Sequence, residues 1–194
     1  MRSCGVQRHE QILLAAETCF RRNGFHAASM GQIAQEARLS VGQIYRYFPS
    51  KEAIVAAIIQ RDMRDMAAGM RCLEEHGGDV VTALLSHFCA ERDRLDGPER
   101  AALLLEIMAE AARNPKVMKV VRDAEQQWRT HMRNLLVKGA GRNWPPSEME
   151  ARLDLIALMF EGLAFRAVHN PDFDRERLEP LLRAVLYDLC VPAR

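Results

Sequence analysis

Two helix starts stand about a dozen residues apart near the beginning of this chain, and they leave little freedom for its fold. Ser29-Met30-Gly31-Gln32 and Ser40-Val41-Gly42-Gln43 both have the form of a capping box. In that motif a Ser hydroxyl satisfies a free amide at the helix start, and a Gln three residues on reaches back to the Ser amide. Two capped starts so close together force two short helices joined by a tight turn. Gly24 ends a first helix that presents Ile12, Leu13, Ala16 and Phe20 at helical spacing. Phe48-Pro49-Ser50 breaks the third helix, and Ser50 caps a fourth that begins at Lys51. Ile33, Ala34 and Ala37 line one face of the second helix, and Ile44 and Phe48 line one face of the third. Both faces pack onto Leu13, Ala16 and Phe20. The opposite face of the third helix carries Val41, Gly42, Gln43, Tyr45, Arg46 and Tyr47, with no carboxylate among them. A helix bearing hydroxyls, an amide and a guanidinium on one face can enter the major groove of DNA.

The rest of the chain also reads as helix, and the fold class is all-α with about nine helices. The fourth helix runs to about Glu75, before His76-Gly77-Gly78. Asp79 opens a fifth, which ends near Gly97-Pro98. A sixth spans about Pro98 to Arg113, and Asn114-Pro115 starts a seventh with Pro at its favoured first position. Gly139-Ala140-Gly141 stops it. Pro145-Pro146-Ser147, with Glu150 three residues after the Ser, opens an eighth, and Asn170-Pro171 closes that. A ninth covers roughly Arg175 to Leu189, where Pro180 implies either a later start or a kink. The expected division is a helix-turn-helix domain over 1–52 and a larger helical domain over 53–194.

Charge supports this division weakly. The net charge of the 194 residues is only +1, but residues 1–60 hold seven Arg and Lys against four Glu. A mildly basic head on a mildly acidic body fits a DNA-reading head. No apolar run approaches the ~20 residues needed to cross a bilayer, and the polar start is not a secretory leader. The five cysteines are scattered without Cys-x-x-Cys spacing, which reads as free thiols in the cytoplasm. The six histidines show no metal spacing, and no phosphate loop, nucleophile elbow or His-Glu-x-x-His appears. The expectation is a non-enzyme with no cofactor, no metal and no membrane partner.

From Gly24-Phe25 through Ser29-Met30-Gly31-Gln32-Ile33-Ala34 to Val41-Gly42-Gln43-Ile44-Tyr45-Arg46-Tyr47-Phe48-Pro49-Ser50-Lys51-Glu52, the sequence resembles the TetR family of transcription regulators. Arg38 stands where the family's turn has Gly, a position that often requires left-handed backbone. Ala28 replaces a usual Thr, leaving Ser29 as the hydroxyl cap. The resemblance implies phosphate contacts from Ser29, Tyr45, Tyr47 and Lys51. It implies that Ser40 caps the recognition helix beside a phosphate, that Gly42 admits the DNA backbone, and that Val41 lies on the same face. Gln43 and Arg46 are the candidates for reading base edges. Arg2 and Arg8 precede the first helix, as a solvated tail or as further DNA contacts.

The larger domain has two expected tasks. One short helix reads few base pairs, so pairing two heads on a palindrome is the usual solution. Helix eight is apolar on more than one stripe, and the resemblance favours a homodimer through helices eight and nine. The expected interface residues are Leu155, Met159, Leu163, Ala164, Leu182 and Leu186. The second task is sensing an unidentified small molecule. Ten methionines are a high count, and flexible thioethers line adaptable pockets as readily as they fill cores. Met66, Met70, Phe88, Met108, Trp128 and Met132 are the candidate pocket residues. Glu106 sits in the apolar run Leu103-Leu104-Leu105-Glu106-Ile107-Met108, either to meet a cationic effector or to pair with Arg100 or Arg113 at the surface. The expected function is a repressor that binds palindromic double-stranded operator DNA as a homodimer and is released by an effector. The alternative is a DNA-binding regulator governed by a partner protein or by thiol oxidation, with Cys19 or Cys89 as the sensor.

Overall fold

The computed structural model describes residues 4–75, 79–85, 97–140, 144–170 and 174–191. Among them the chain is helical, with no strand. The helices are α1 (Cys4–Ala27), α2 (Met30–Glu36), α3 (Val41–Tyr47), α4 (Lys51–Glu75), a helical stretch α5 (80–85), α6 (Gly97–Ala111), α7 (Pro115–Ala140), α8 (Pro146–His169) and α9 (Arg175–Cys190).

Both capping boxes form as the sequence requires. Ser29 accepts from the Gln32 amide while the Gln32 side chain takes the Ser29 amide at 2.8 Å. Ser40 and Gln43 repeat the pattern at 2.9 Å. Helices of seven residues are too short to stand alone in water, so α2 and α3 depend on what they bury. Ile33 and Ile44 are fully buried with Ile12, Leu13 and Phe20 in one core.

The turn between α2 and α3 explains the departure at Arg38. The Leu39 amide bonds to the Ala34 carbonyl and the Arg38 amide to the Gln35 carbonyl. This is the Schellman ending, in which the residue after the cap is left-handed and is usually Gly. Arg38 holds φ 52° there. Gln11 reaches from α1 to the Ala37 carbonyl at 2.6 Å and secures the same turn. Arg38→Gly is expected to stabilise the chain. Relief of about 1–2 kcal/mol of left-handed strain outweighs the extra freedom Gly gains when unfolded, about 0.5–1 kcal/mol. Denaturant titration reads the result, and a midpoint unchanged or lowered at constant slope would count against the strain.

The first helical run of α1 ends at Gly24, as the sequence predicts, with φ 75° and ψ 159°, and a short helical turn follows to Ala27. That backbone is open to Gly and strained for other residues. The later helix starts bring one departure from expectation. α8 starts at Pro146 with Pro145 as its cap and no side-chain cap bond, so Ser147 and Glu150 do not form a box. Glu150 instead receives Arg129 at 2.9 Å and also Arg133, which ties α7 to α8. α9 begins at Arg175 as expected, capped by Asp174, and contains Pro180 within its length.

The chain divides into two compact units. One comprises Met1–Asp62 with Ala102–Ala124, the other Met63–Ala101 with Glu125–Arg194. The first is wider than the expected head over 1–52, because Leu103, Ile107 and Val117 join the core formed by α1 to α4. Within it, half-buried Arg61 on α4 holds Glu10 at 2.9 Å, Glu17 and Asp62, pinning α4 to α1. The second unit has its own core around Leu84, Met132, Leu136, Leu153, Ile156 and Leu186.

Candidate nucleic-acid interface

α3 turns Ile44 inward and leaves the rest of its length outside. Val41, Gly42, Gln43, Tyr45, Arg46 and Tyr47 are all exposed, Tyr45 by 52%. A Cβ built on Gly42 would meet nothing within 4 Å. The protein itself therefore makes no demand for Gly at 42, and the open space there lies toward whatever approaches α3. Phe48 closes the helix as a buried C-cap, its ring centre 4.7 Å from that of His9 on α1 in a tilted contact.

The hydroxyls of the two boxes differ in what they have left to give. The Ser29 hydroxyl oxygen accepts from the Gln32 amide, so its proton is free for an outside acceptor. The Ser40 hydroxyl also faces the Gln43 side-chain oxygen at 3.2 Å and can donate to it. That same oxygen accepts from the Ser40 amide. Gln43 was expected to pair with an adenine edge, which takes both its oxygen and its amino group. With the oxygen committed to the box, the amino group is the part of Gln43 that faces outward chemistry. Arg46 stands on the same exposed face and belongs to neither box.

Lys51 corrects the expectation most clearly. Its Nζ donates to the carbonyls of Phe25 at 2.6 Å, Ala28 at 2.7 Å and His26 at 3.1 Å, and lies 4.6 Å from the Phe25 ring centre. An ammonium has three donors, and all three are spent on the end of α1. Lys51 shapes the head and is not poised to contact a phosphate. No sequence motif signals this, since the partners lie 23 to 26 residues away.

The expected effector residues are spread over both units. In the second, Met132 is fully buried and Met66 and Trp128 pack partly buried against the same core. In the first, Met108 is 50% exposed on the outside of α6, so it does not line an enclosed cavity. Glu106 neither pairs with Arg113 nor stands open to a cation. Its Oε1 accepts the backbone amide of Phe25 at 2.6 Å. Phe88 and the side chain of Met70 lie outside the described residues.

The expected dimer residues also separate. Leu155 is exposed, while Met159, Leu163 and Ala164 are half-buried, Met159 and Leu163 against the second core. Leu182 and Leu186 are buried in that core and are unavailable to a partner, which corrects their assignment. The outward apolar residues are Leu158 at 62% and Phe165 at 57% on α8, and Leu181 at 67% and Val185 on α9. Counting from the buried pair Leu153 and Ile156 would have found the first two, since they fall on the opposite side of a 3.6-residue period.

A signature described as bacterial regulatory proteins, tetR family, matches residues 12–58, and one described as the BetI-type transcriptional repressor C-terminal region matches residues 81–191, more than half of the chain. The chain is a TetR-family transcriptional regulator. Members of this family are DNA-binding regulators and not enzymes. Its similarity to the HTH-type transcriptional regulator UidR of Escherichia coli is 37% identity over 113 residues, 58% of this chain and 56% of UidR. The match therefore spans little more than half of that relative. YfiR of Bacillus subtilis is 27% identical over 183 residues, covering 89% of this chain and 84% of YfiR. Among solved structures, Salmonella enterica GusR superposes with a TM-score of 0.78 at 26% identity, covering 97% and 98% of the two chains. FadR from Bacillus subtilis, solved with stearoyl-CoA, shares the fold with a TM-score of 0.77 at 19% identity, covering 92% and 97%. Among the described residues no helix is long and apolar enough to cross a membrane, and no His, Cys, Asp and Glu group could hold a metal ion.

Proposed function

We propose that this TetR-family regulator is a cytoplasmic repressor that binds palindromic operator DNA as a homodimer and leaves it when a small molecule binds the larger domain. The observation that carries the DNA half is the outer face of α3, where Tyr45, Arg46 and Tyr47 stand exposed around an unobstructed Gly42. Tyr45, Tyr47 and Ser29 supply hydroxyl donors for phosphates, and Arg46 reads a base. The dimer half is supported by Leu155, Leu158 and Phe165 on α8 with Leu181 and Val185 on α9, large apolar side chains left exposed on both helices. The effector half is supported by the likeness to FadR, which was solved with stearoyl-CoA.

The thiol-controlled alternative finds less support. Cys19 is buried, and burial and then the charge of Glu36 push its thiol up from the ordinary value. Burial pushes Cys190 up to about 12. Oxidant sensors need an accessible thiolate, which neither of these offers; Cys89, the other candidate, lies outside the described residues.

The test is retardation of DNA from the regulator's own promoter, at two chains per site, followed by a screen for compounds that reverse it. Arg46→Ala is expected to relax preference at one position in each half-site by about 1–3 kcal/mol. Tyr45→Phe is expected to weaken all sites alike, because a phosphate contact carries no sequence information. Retention of every promoter fragment with equal affinity, or an Arg46→Ala protein with unchanged base preference, would refute the reading.

A further inference from the structure

The break at Gly24 leaves the end of α1 in need of partners, and two side chains of opposite charge supply them. Phe25, the next residue, is buried. Its amide donates to Glu106 Oε1 at 2.6 Å and its carbonyl accepts from Lys51 Nζ at 2.6 Å. The peptide groups on either side of one residue are thus gripped, one by an anion and one by a cation. Charged partners make the stronger hydrogen bonds. The fit is close, because a Cβ on Gly24 would stand 3.0 Å from the same Glu106 oxygen. Four residues past Phe25 the chain reaches Ser29, the cap of α2. Lys51 belongs to the head, but Glu106 is 81 residues away on α6.

We propose that Glu106 is a positioning residue for operator binding. It touches no DNA. Its carboxylate fixes the Gly24–Ser29 turn and with it the start of α2, which must be set correctly for Ser29 and the face of α3 to seat together. The apolar run around Glu106 therefore does not enclose a ligand group. It anchors α6 through Leu103 and Ile107 in the core of the first unit, so that the carboxylate arrives at a defined place. This inference rests on the operator reading given above.

The full-length protein tests it through Glu106→Ala, which removes the acceptor, and Glu106→Gln, which keeps an oxygen and loses the charge. Glu106→Ala is expected to lower operator affinity about tenfold or more, with the salt dependence unchanged because no phosphate contact is lost. Glu106→Gln is expected to stay within about threefold of wild type. Hydrogen exchange supplies an independent readout. Amides over residues 24–30 are expected to exchange faster in DNA-free Glu106→Ala while those of α8 do not change. Wild-type affinity in Glu106→Ala overturns the proposal, as does an equal loss in both variants with no change in exchange over 24–30. So does a loss accompanied by faster exchange throughout the chain. If the wild-type protein retains no promoter DNA, the operator reading itself fails and the role proposed for Glu106 falls with it. Exchange over 24–30 then still reports whether the carboxylate holds the turn, which separates the two failures.

Discussion

Leu158→Glu is expected to leave the chain folded, monomeric and unable to hold its operator. Leu155, Leu158 and Phe165 recur along α8 at spacings of three and seven, with Leu181 and Val185 exposed on α9. Covering one such side chain contributes about 1.5–3 kcal/mol, and a two-fold interface counts each residue twice. The substitution removes that contribution from both protomers and asks two carboxylates to give up water. The dimer dissociation constant is expected to rise by about a hundredfold or more. Operator affinity falls with it, since a single head reads a single half-site. Leu182→Glu is the control, because Leu182 is buried in the chain's own core and a charge there is expected to unfold the second unit. Light scattering, circular dichroism and DNA retardation together read the outcome. A Leu158→Glu protein that remains a dimer and keeps wild-type affinity would rule out this surface as the interface.

Lys51→Met is expected to produce the second large effect, and in a way that identifies its cause. Methionine keeps an apolar stem near the Phe25 ring and deletes all three donors. The carbonyls of Phe25, His26 and Ala28 lose their shared partner. The loss of a charged partner on part-buried carbonyls is expected to cost about 1.5–3 kcal/mol of stability and, through the distorted turn, about tenfold or more in operator affinity. A direct phosphate contact would leave a different mark. Removing it lowers the slope of log affinity against log salt by about 0.9 per phosphate, and a dimer loses two. Lys51 in a capping role leaves the slope near its wild-type value. A slope reduced by about two, with unchanged thermal stability, would restore Lys51 to the DNA.

What was legible in the sequence follows from the range of the forces involved. The two Ser-x-x-Gln boxes and the left-handed Arg38 are local events, settled within four or five residues, and local pattern finds them. Gln43 shows where local reading conflicts with itself. The same side chain closes a box and faces outward, and the pattern alone does not say which task takes its oxygen. Lys51 and Glu106 lie beyond such reading because their partners are backbone atoms far along the chain, and no residue type at Phe25 marks them. Leu182 and Leu186 fail for another reason. Helical periodicity shows which residues of α9 share a face, but not whether that face turns toward the chain's own core or away from it. Ser147 lost its capping role to the two prolines before it, which start the helix two residues earlier.

The choice of Gln over Glu inside the two boxes has an electrical consequence. A glutamate three residues into a helix closes the same motif and gains about 0.3–1 kcal/mol from the partial positive charge at the helix start. Gln32 and Gln43 forgo that gain. In return, α3, which displays Tyr45 and Arg46, carries no carboxylate to repel a polyanion. The two caps also have nothing to ionise, so acidification does not alter them. A head built this way gives up some helix stability to remain neutral where it meets its ligand.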